Sequence, residues 1–80
     1  MLILKIISPT ETIFNGEVKQ VFFPGTIGLF EVLPKHAPII SSLAKGDITC
    51  ALASGEEKKF PVASGFVEVN ANNITACIEN

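Results

Sequence analysis

The sequence predicts an all-β fold, an antiparallel β-sandwich or flattened β-barrel of short strands. Three observations lead there. Short apolar stretches rich in Val, Ile and Leu recur along the chain, as strands with a buried face require. Turn residues interrupt them roughly every eight to twelve residues, the spacing of sandwiches and barrels. No segment keeps a helical apolar period long enough for a helix. With 80 residues and no internal repeat, linker or low-complexity tract, the chain is one domain.

The elements follow in order. Residues 2–8 form a first strand, and Pro9 ends it because proline lacks the ladder N–H. Residues 12–14 form a second, closed by Asn15-Gly16, a pair that tolerates the positive φ of a tight hairpin. In a third, residues 18–23, simple alternation sets Val18, Gln20 and Phe22 on one face and Lys19, Val21 and Phe23 on the other. Pro24-Gly25 has the chemistry of a type II turn. Residues 29–33 form a strand, residues 34–38 a loop and residues 39–43 another strand, after which Lys45-Gly46 turns the chain. Residues 47–53 and 57–62 make a hairpin about Ser54-Gly55, with Pro61 placing the return strand at an edge or a bulge. Residues 66–70 and 74–78 make the last hairpin, about Ala71-Asn72-Asn73, with Val67 and Val69 alternating against Phe66, Glu68 and Asn70.

Composition narrows the function. Hydrophobic residues make up 48% and charged residues 18%, so a small, surface-rich domain carries little charge, which fits either a dense β-core or a surface partly covered by a partner. The net charge is −2, with scattered lysines and no tryptophan or tyrosine, which argues against a nucleic-acid interface. Cys50 and Cys77 lie in strands and read as small buried apolar residues of a reducing compartment. With His36 they supply only three zinc ligands at irregular spacing. The apolar start is interrupted by Lys5 and lacks a cleavage motif. No stretch approaches the length of a membrane helix, so membrane association is expected through a partner.

Residues 24–40 concentrate two of the 6 glycines, three of the 5 prolines and the 1 histidine. His36 is the candidate general base, but no partner is oriented toward it by sequence. Glu31 stands five residues away across a proline loop, and Ser41 and Ser42 lie in no nucleophile elbow. Gly25-Thr26-Ile27-Gly28 has the outline of an RNA-clamping loop but sits between strands and carries no basic residue. Phosphate-binding glycine motifs are absent. Docking is the remaining task. Ala37, Pro38, Ile39 and Ile40 form an apolar run that is either core or displayed at the barrel end, and of Leu29 and Phe30 one must face outward.

The ordered elements Ser8-Pro9, Phe14-x-Gly16-Glu17-Val18, Pro24-Gly25-x-x-Gly28, Val32-Leu33-Pro34-x-His36-Ala37-Pro38, Lys45-Gly46-x-Ile48 and Gly65-Phe66-Val67-Glu68-Val69 cover nearly the whole chain. Together they resemble the ε subunit of F-type ATP synthases, with Leu-Pro-x-His-Ala-Pro the most specific piece. The resemblance implies a flattened sandwich of about ten strands in the rotary central stalk. It implies a non-catalytic subunit that needs no cofactor and contacts the γ subunit and the membrane c-ring. It also implies a peripheral position on the cytoplasmic side of the membrane. Carried onto this chain, it sets Gly25, Thr26, Ile27, Gly28, Leu29, Phe30 and Glu31 toward the c-ring, and His36, Ala37, Pro38, Ile39 and Ile40 toward γ. Many relatives have glycine where Glu31 stands, and glycine or asparagine where Lys35 stands. The sequence ends at Asn80, before the two-helix hairpin that many bacterial relatives carry, so the inhibitory and ATP-binding roles of that hairpin are not carried over. The competing expectation is a stand-alone β-module that binds a small ligand in a pocket lined by His36 and Glu31.

Overall fold

The computed structural model describes every residue, Met1–Asn80. Its eight strands are β1 (Leu2–Ile7), β2 (Thr12–Pro24), β3 (Leu29–Val32), β4 (Ile39–Leu43), β5 (Gly46–Leu52), β6 (Glu57–Val62), β7 (Ser64–Asn70) and β8 (Asn73–Glu79), and there is no helix. Hydrogen bonds connect them in the order β4-β7-β8-β1-β2-β5-β6, with β3 attached to β2.

The long β2 makes two layers from this one ladder. Its first half pairs with β1, from Thr12 to Val18. Its second half pairs with β5 on Val18 to Phe22 and with β3 on Val21 to Pro24. One layer is therefore β4-β7-β8-β1 with the start of β2, and the other is β3, β5 and β6 with its end. Leu2, Leu4, Ile6, Val67, Val69, Ile74, Ala76 and Ile78 from the first layer join Val21, Phe23, Val32, Ile48, Cys50 and Val62 from the second in a single buried cluster. Phe14 and Phe60 close the gap between layers, their ring centroids 5.4 Å apart. No polar or charged residue is buried.

The all-β sandwich expected from the sequence is present, but several local expectations give way. Residues 12–14 and 18–23 are not separate strands. Asn15 and Gly16 lie inside β2, opposite Lys5 and Leu4 of β1. A neighbouring strand that supplies ladder bonds on both sides of an Asn-Gly pair overrides its local turn preference. This merger is one reason there are eight strands rather than about ten.

The simple alternation predicted for residues 18–23 also breaks. Between Val18 and Gln20 the register against β5 shifts, two residues of β2 opposing one step from Leu52 to Ala51. The extra residue is a β-bulge, which resets the inward phase. Val18 and Val21 both enter the core as a result.

One pair is parallel. β8 lies beside β1 in the same direction, from Ile3 opposite Asn73 to Ile7 opposite Cys77. A parallel pair needs a long connection, and here everything between the first and last strands supplies it. The last hairpin pairs Asn70 with Asn73, so its turn holds two residues, Ala71 and Asn72, rather than three. Ala71 takes φ +56°, the sign that a type II′ turn needs at its first central position. Pro61 lies on β6, the free edge of the second layer, where its missing N–H breaks no ladder on the outer side. Cys50 is buried as expected, and burial pushes its thiol pKa up. Cys77, expected inside, is half-exposed.

At one glycine the packing leaves no choice. Gly65 has φ +153°, and a Cβ there would lie 2.3 Å from the Cys77 carbonyl oxygen. Any side chain would force β7 and β8 apart.

Candidate functional site

The stretch singled out in the sequence splits into two structures at opposite ends of β3. One is the tip, residues 25–28, between β2 and β3. The other is the loop, residues 33–38, between β3 and β4. β4 then runs back, so that Leu43 bridges to Gly25. The strand of four residues from Leu29 to Val32 separates tip and loop by roughly 13 Å at the usual strand rise.

Backbone bonds and one hydroxyl pair hold the tip. The Gly28 N–H donates to the Gly25 carbonyl at 3.1 Å, closing a four-residue turn. The turn thus begins at Gly25, two residues later than a type II turn centred on Pro24-Gly25 predicts. Pro24 remains in the strand opposite Leu29, and Gly25 keeps a negative φ, so no type II turn forms. The Thr26 N–H donates to the Ser42 carbonyl at 3.1 Å, the Ala44 N–H donates to the Pro24 carbonyl at 2.7 Å, and the Thr26 and Ser42 hydroxyls lie 2.8 Å apart. Gly25 is glycine for want of space, since a Cβ would meet the Gly28 carbonyl oxygen at 2.7 Å and the Phe30 ring at 3.0 Å. Nothing crowds Gly28.

Strand alternation settles Leu29 and Phe30. Leu29 is 71% exposed, while Phe30 packs on the core and against Phe23, with centroids 5.6 Å apart. Ile27 at the apex is fully exposed. The tip therefore presents Thr26, Ile27 and Leu29 on a fixed backbone. Glu31 is exposed on β3 opposite Phe22.

The loop is held differently. The His36 N–H donates to the Leu33 carbonyl at 3.2 Å. His36 Nδ1 lies 2.7 Å from the carbonyl oxygen of Ala37, so as a donor it leaves Nε2 for another partner. Lys35 takes a left-handed φ of +69°. Its N–H donates to Oδ1 of Asn72, across the molecule in the β7–β8 turn, at 3.0 Å. Ala37, Pro38 and Ile40 are exposed, and Ile39 is half-buried. Sequence reasoning read Asn72 only as a turn residue and missed both its bond to Lys35 and the Thr26–Ser42 pair. Both link residues far apart in the chain, and periodicity carries no signal for them.

The structure does not assemble a catalytic group. His36 and Glu31 share no hydrogen bond or ion pair, and no group of three or more His, Cys, Asp or Glu side chains is placed to hold a metal. The pocket expected of a ligand-binding module, lined by His36 and Glu31, is not formed. Two open grooves lie elsewhere. One, of about 430 Å³, runs along Ile7, Pro9, Phe66 and Cys77. The other, of about 460 Å³, lies over the paired β4 and β7, lined by Pro38, Ile39 and Ile40 with Glu68, Val69 and Asn70.

Comparison with known proteins agrees with this arrangement. The family described as "ATP synthase, Delta/Epsilon chain, beta-sandwich domain" matches residues 1–80. The chain belongs to this family. The ATP synthase epsilon chain of Chlorobaculum tepidum is 41% identical over 69 residues, covering 86% of this chain and 78% of the relative. That of Nitratiruptor sp. is 44% identical over 76 residues, covering 95% of this chain and 59% of the relative. The delta/epsilon sandwich also has structural counterparts. A chain in the cryo-EM structure of the Euglena gracilis mitochondrial ATP synthase, comprising OSCP, F1 and c-ring, matches with a TM-score of 0.90 at 23% identity, over 96% of this chain and 49% of the other. A chain from the central stalk and c-ring of the Tetrahymena thermophila mitochondrial ATP synthase matches with a TM-score of 0.81 at 13% identity. At those identities the matches establish a shared fold.

Proposed function

We propose that this chain is a non-catalytic rotor subunit of an F-type ATP synthase. It bridges the γ subunit and the membrane c-ring, so that ion-driven rotation of the ring turns the shaft that drives ATP synthesis. The observation that carries this reading is the family match over residues 1–80 on a body whose two projecting segments stand at opposite ends of β3. A coupling element must hold two partners at fixed separation. A close-packed sandwich transmits strain with little deformation, and no polar group in its core loosens it.

In this reading Gly25, Thr26, Ile27, Gly28, Leu29, Phe30 and Glu31 form the ring-facing end, with Ile27 and Leu29 as its apolar contacts. His36, Ala37, Pro38, Ile39 and Ile40 form the γ-facing surface, with His36 Nε2 as its hydrogen-bonding atom. No helix is long and apolar enough to cross a membrane. The subunit meets the membrane through the ring, on its cytoplasmic side.

The test is reconstitution. The chain is purified with γ and with the γ–c-ring assembly, and complex formation is measured by native mass and titration. His36→Ala with Ile40→Ser should weaken γ binding while Ile27→Ser with Leu29→Ser leaves it intact. The second pair should loosen the assembly only when the ring is present. A chain that remains monomeric beside γ refutes the rotor reading.

A further inference from the structure

We propose that Asn72 is the positioning residue of the His36 loop. Its side chain holds Lys35 in the left-handed conformation and thereby sets the surface that meets γ, an inference that rests on the docking reading above.

Lys35 is where the loop is under strain. Its φ of +69° brings Cβ close to the backbone in a way that residues other than glycine avoid, and such a conformation persists only where its surroundings over-determine it. The bonds within the loop, from the His36 N–H to Leu33 and between the His36 ring and Ala37, fix its neighbours. The bond that reaches Lys35 itself from outside comes from Asn72 Oδ1, at 3.0 Å across 37 residues of sequence.

Asn72 is a firm anchor. It is half-buried in the two-residue turn between β7 and β8. Its own carbonyl accepts the N–H of Ile3 at 2.8 Å, which ties the turn to β1 in the middle of the first layer. The conformation of the loop is thus referred through one side chain to the central strands. The same end of the hairpin supplies Glu68, Val69 and Asn70 to the lining of the 460 Å³ groove, where Val69 and Glu68 pair directly with Ile39 and Ile40 of β4. Asn72 consequently governs how the loop and this groove face a partner together, without needing to touch the partner.

Hydrogen exchange at the Lys35 amide and titration with purified γ test the proposal in the full chain. Loss of one hydrogen bond of this kind corresponds to roughly a tenfold change. Asn72→Ala should speed exchange at the Lys35 amide by about tenfold and weaken γ binding several-fold, with exchange in β1 and β8 unchanged. Asn72→Asp keeps the accepting oxygen and should restore both. Adding Lys35→Gly to Asn72→Ala should recover γ binding, because glycine holds the left-handed conformation without help. A merely structural loss at Asn72 would not be rescued from position 35.

Unchanged exchange at Lys35 in Asn72→Ala overturns the proposal. So does faster exchange with undiminished γ binding. His36→Ala separates the two levels of inference. If it weakens γ binding while Asn72→Ala does not, the positioning role fails alone. If it leaves γ binding intact, the docking reading fails and the inference built on it fails with it.

Discussion

The tip at residues 25–28 and the loop at residues 33–38 flank the same short strand, yet opposite means hold them. The tip is mainly a backbone construction, with one side-chain tie, the Thr26–Ser42 hydroxyl pair. Its turn closes on itself and is sewn to β4 by main-chain bonds at Ser42 and Pro24, with the Phe23–Phe30 pair beneath it. The side chains of Ile27 and Leu29 are exposed. The loop has few main-chain ties, and its critical residue is strained and latched by a side chain. A segment built mainly on backbone can change exposed side chains such as Ile27 and keep its shape. A segment that relies on one side chain cannot.

Five substitutions break or sharpen this contrast. The largest effect is expected at Phe23, fully buried under the tip. Phe23→Ala should cost about 3–5 kcal/mol in chemical denaturation and raise amide exchange at the tip more than in the loop. Equal loosening of both would erase the distinction. Next is Gly25→Ala, where the new Cβ would have to move the Gly28 carbonyl and the Phe30 ring. Overpacking of this kind costs about 1–3 kcal/mol, and a melting curve that matches the parent would show that the turn relaxes without penalty.

At the loop the sign reverses. Lys35→Gly should stabilise the chain by about 0.5–1 kcal/mol, the relief of the left-handed conformation less the entropy glycine gains on unfolding. A destabilised variant would mean that the Lys35 side chain makes a contribution larger than the strain. The smallest effects belong to the exposed apex. Gly28→Ala and Ile27→Ser should each stay within about 0.5 kcal/mol of the parent, because no atom crowds the first and Ile27 is fully exposed. A larger loss in equilibrium unfolding would show that the apex carries part of the tip's stability after all.

The strands of the last two hairpins were legible with little error. Their inward residues alternate cleanly, and Val67 and Val69 are buried while Phe66 and Glu68 are exposed. Residues 12–24 were not legible. Asn15-Gly16 carries a strong turn signal, but β1 pairs straight through it, and the bulge after Val18 shifts the inward phase by one residue. Both outcomes depend on which strand lies alongside. Within the candidate site, the glycine and proline punctuation marked the tip and the loop correctly. The identity of the residues that hold them, Ser42 for one and Asn72 for the other, lay 16 and 37 residues away and left no local mark.

Three things, then, belong to the sequence by itself. Short apolar stretches between turn residues determined an all-β domain. The ordered turn and loop motifs pointed to the ATP synthase ε family. The cluster of glycine, proline and histidine marked the segment proposed to dock. Tertiary structure alone decided that residues 12–24 are one strand shared by two layers, that the chain's two ends lie parallel, and that Asn72 reaches Lys35. The physical reason is common to all three. Alternation and turn chemistry act between neighbours in the chain, whereas strand pairing and latches are settled by partners brought together only when the sandwich closes.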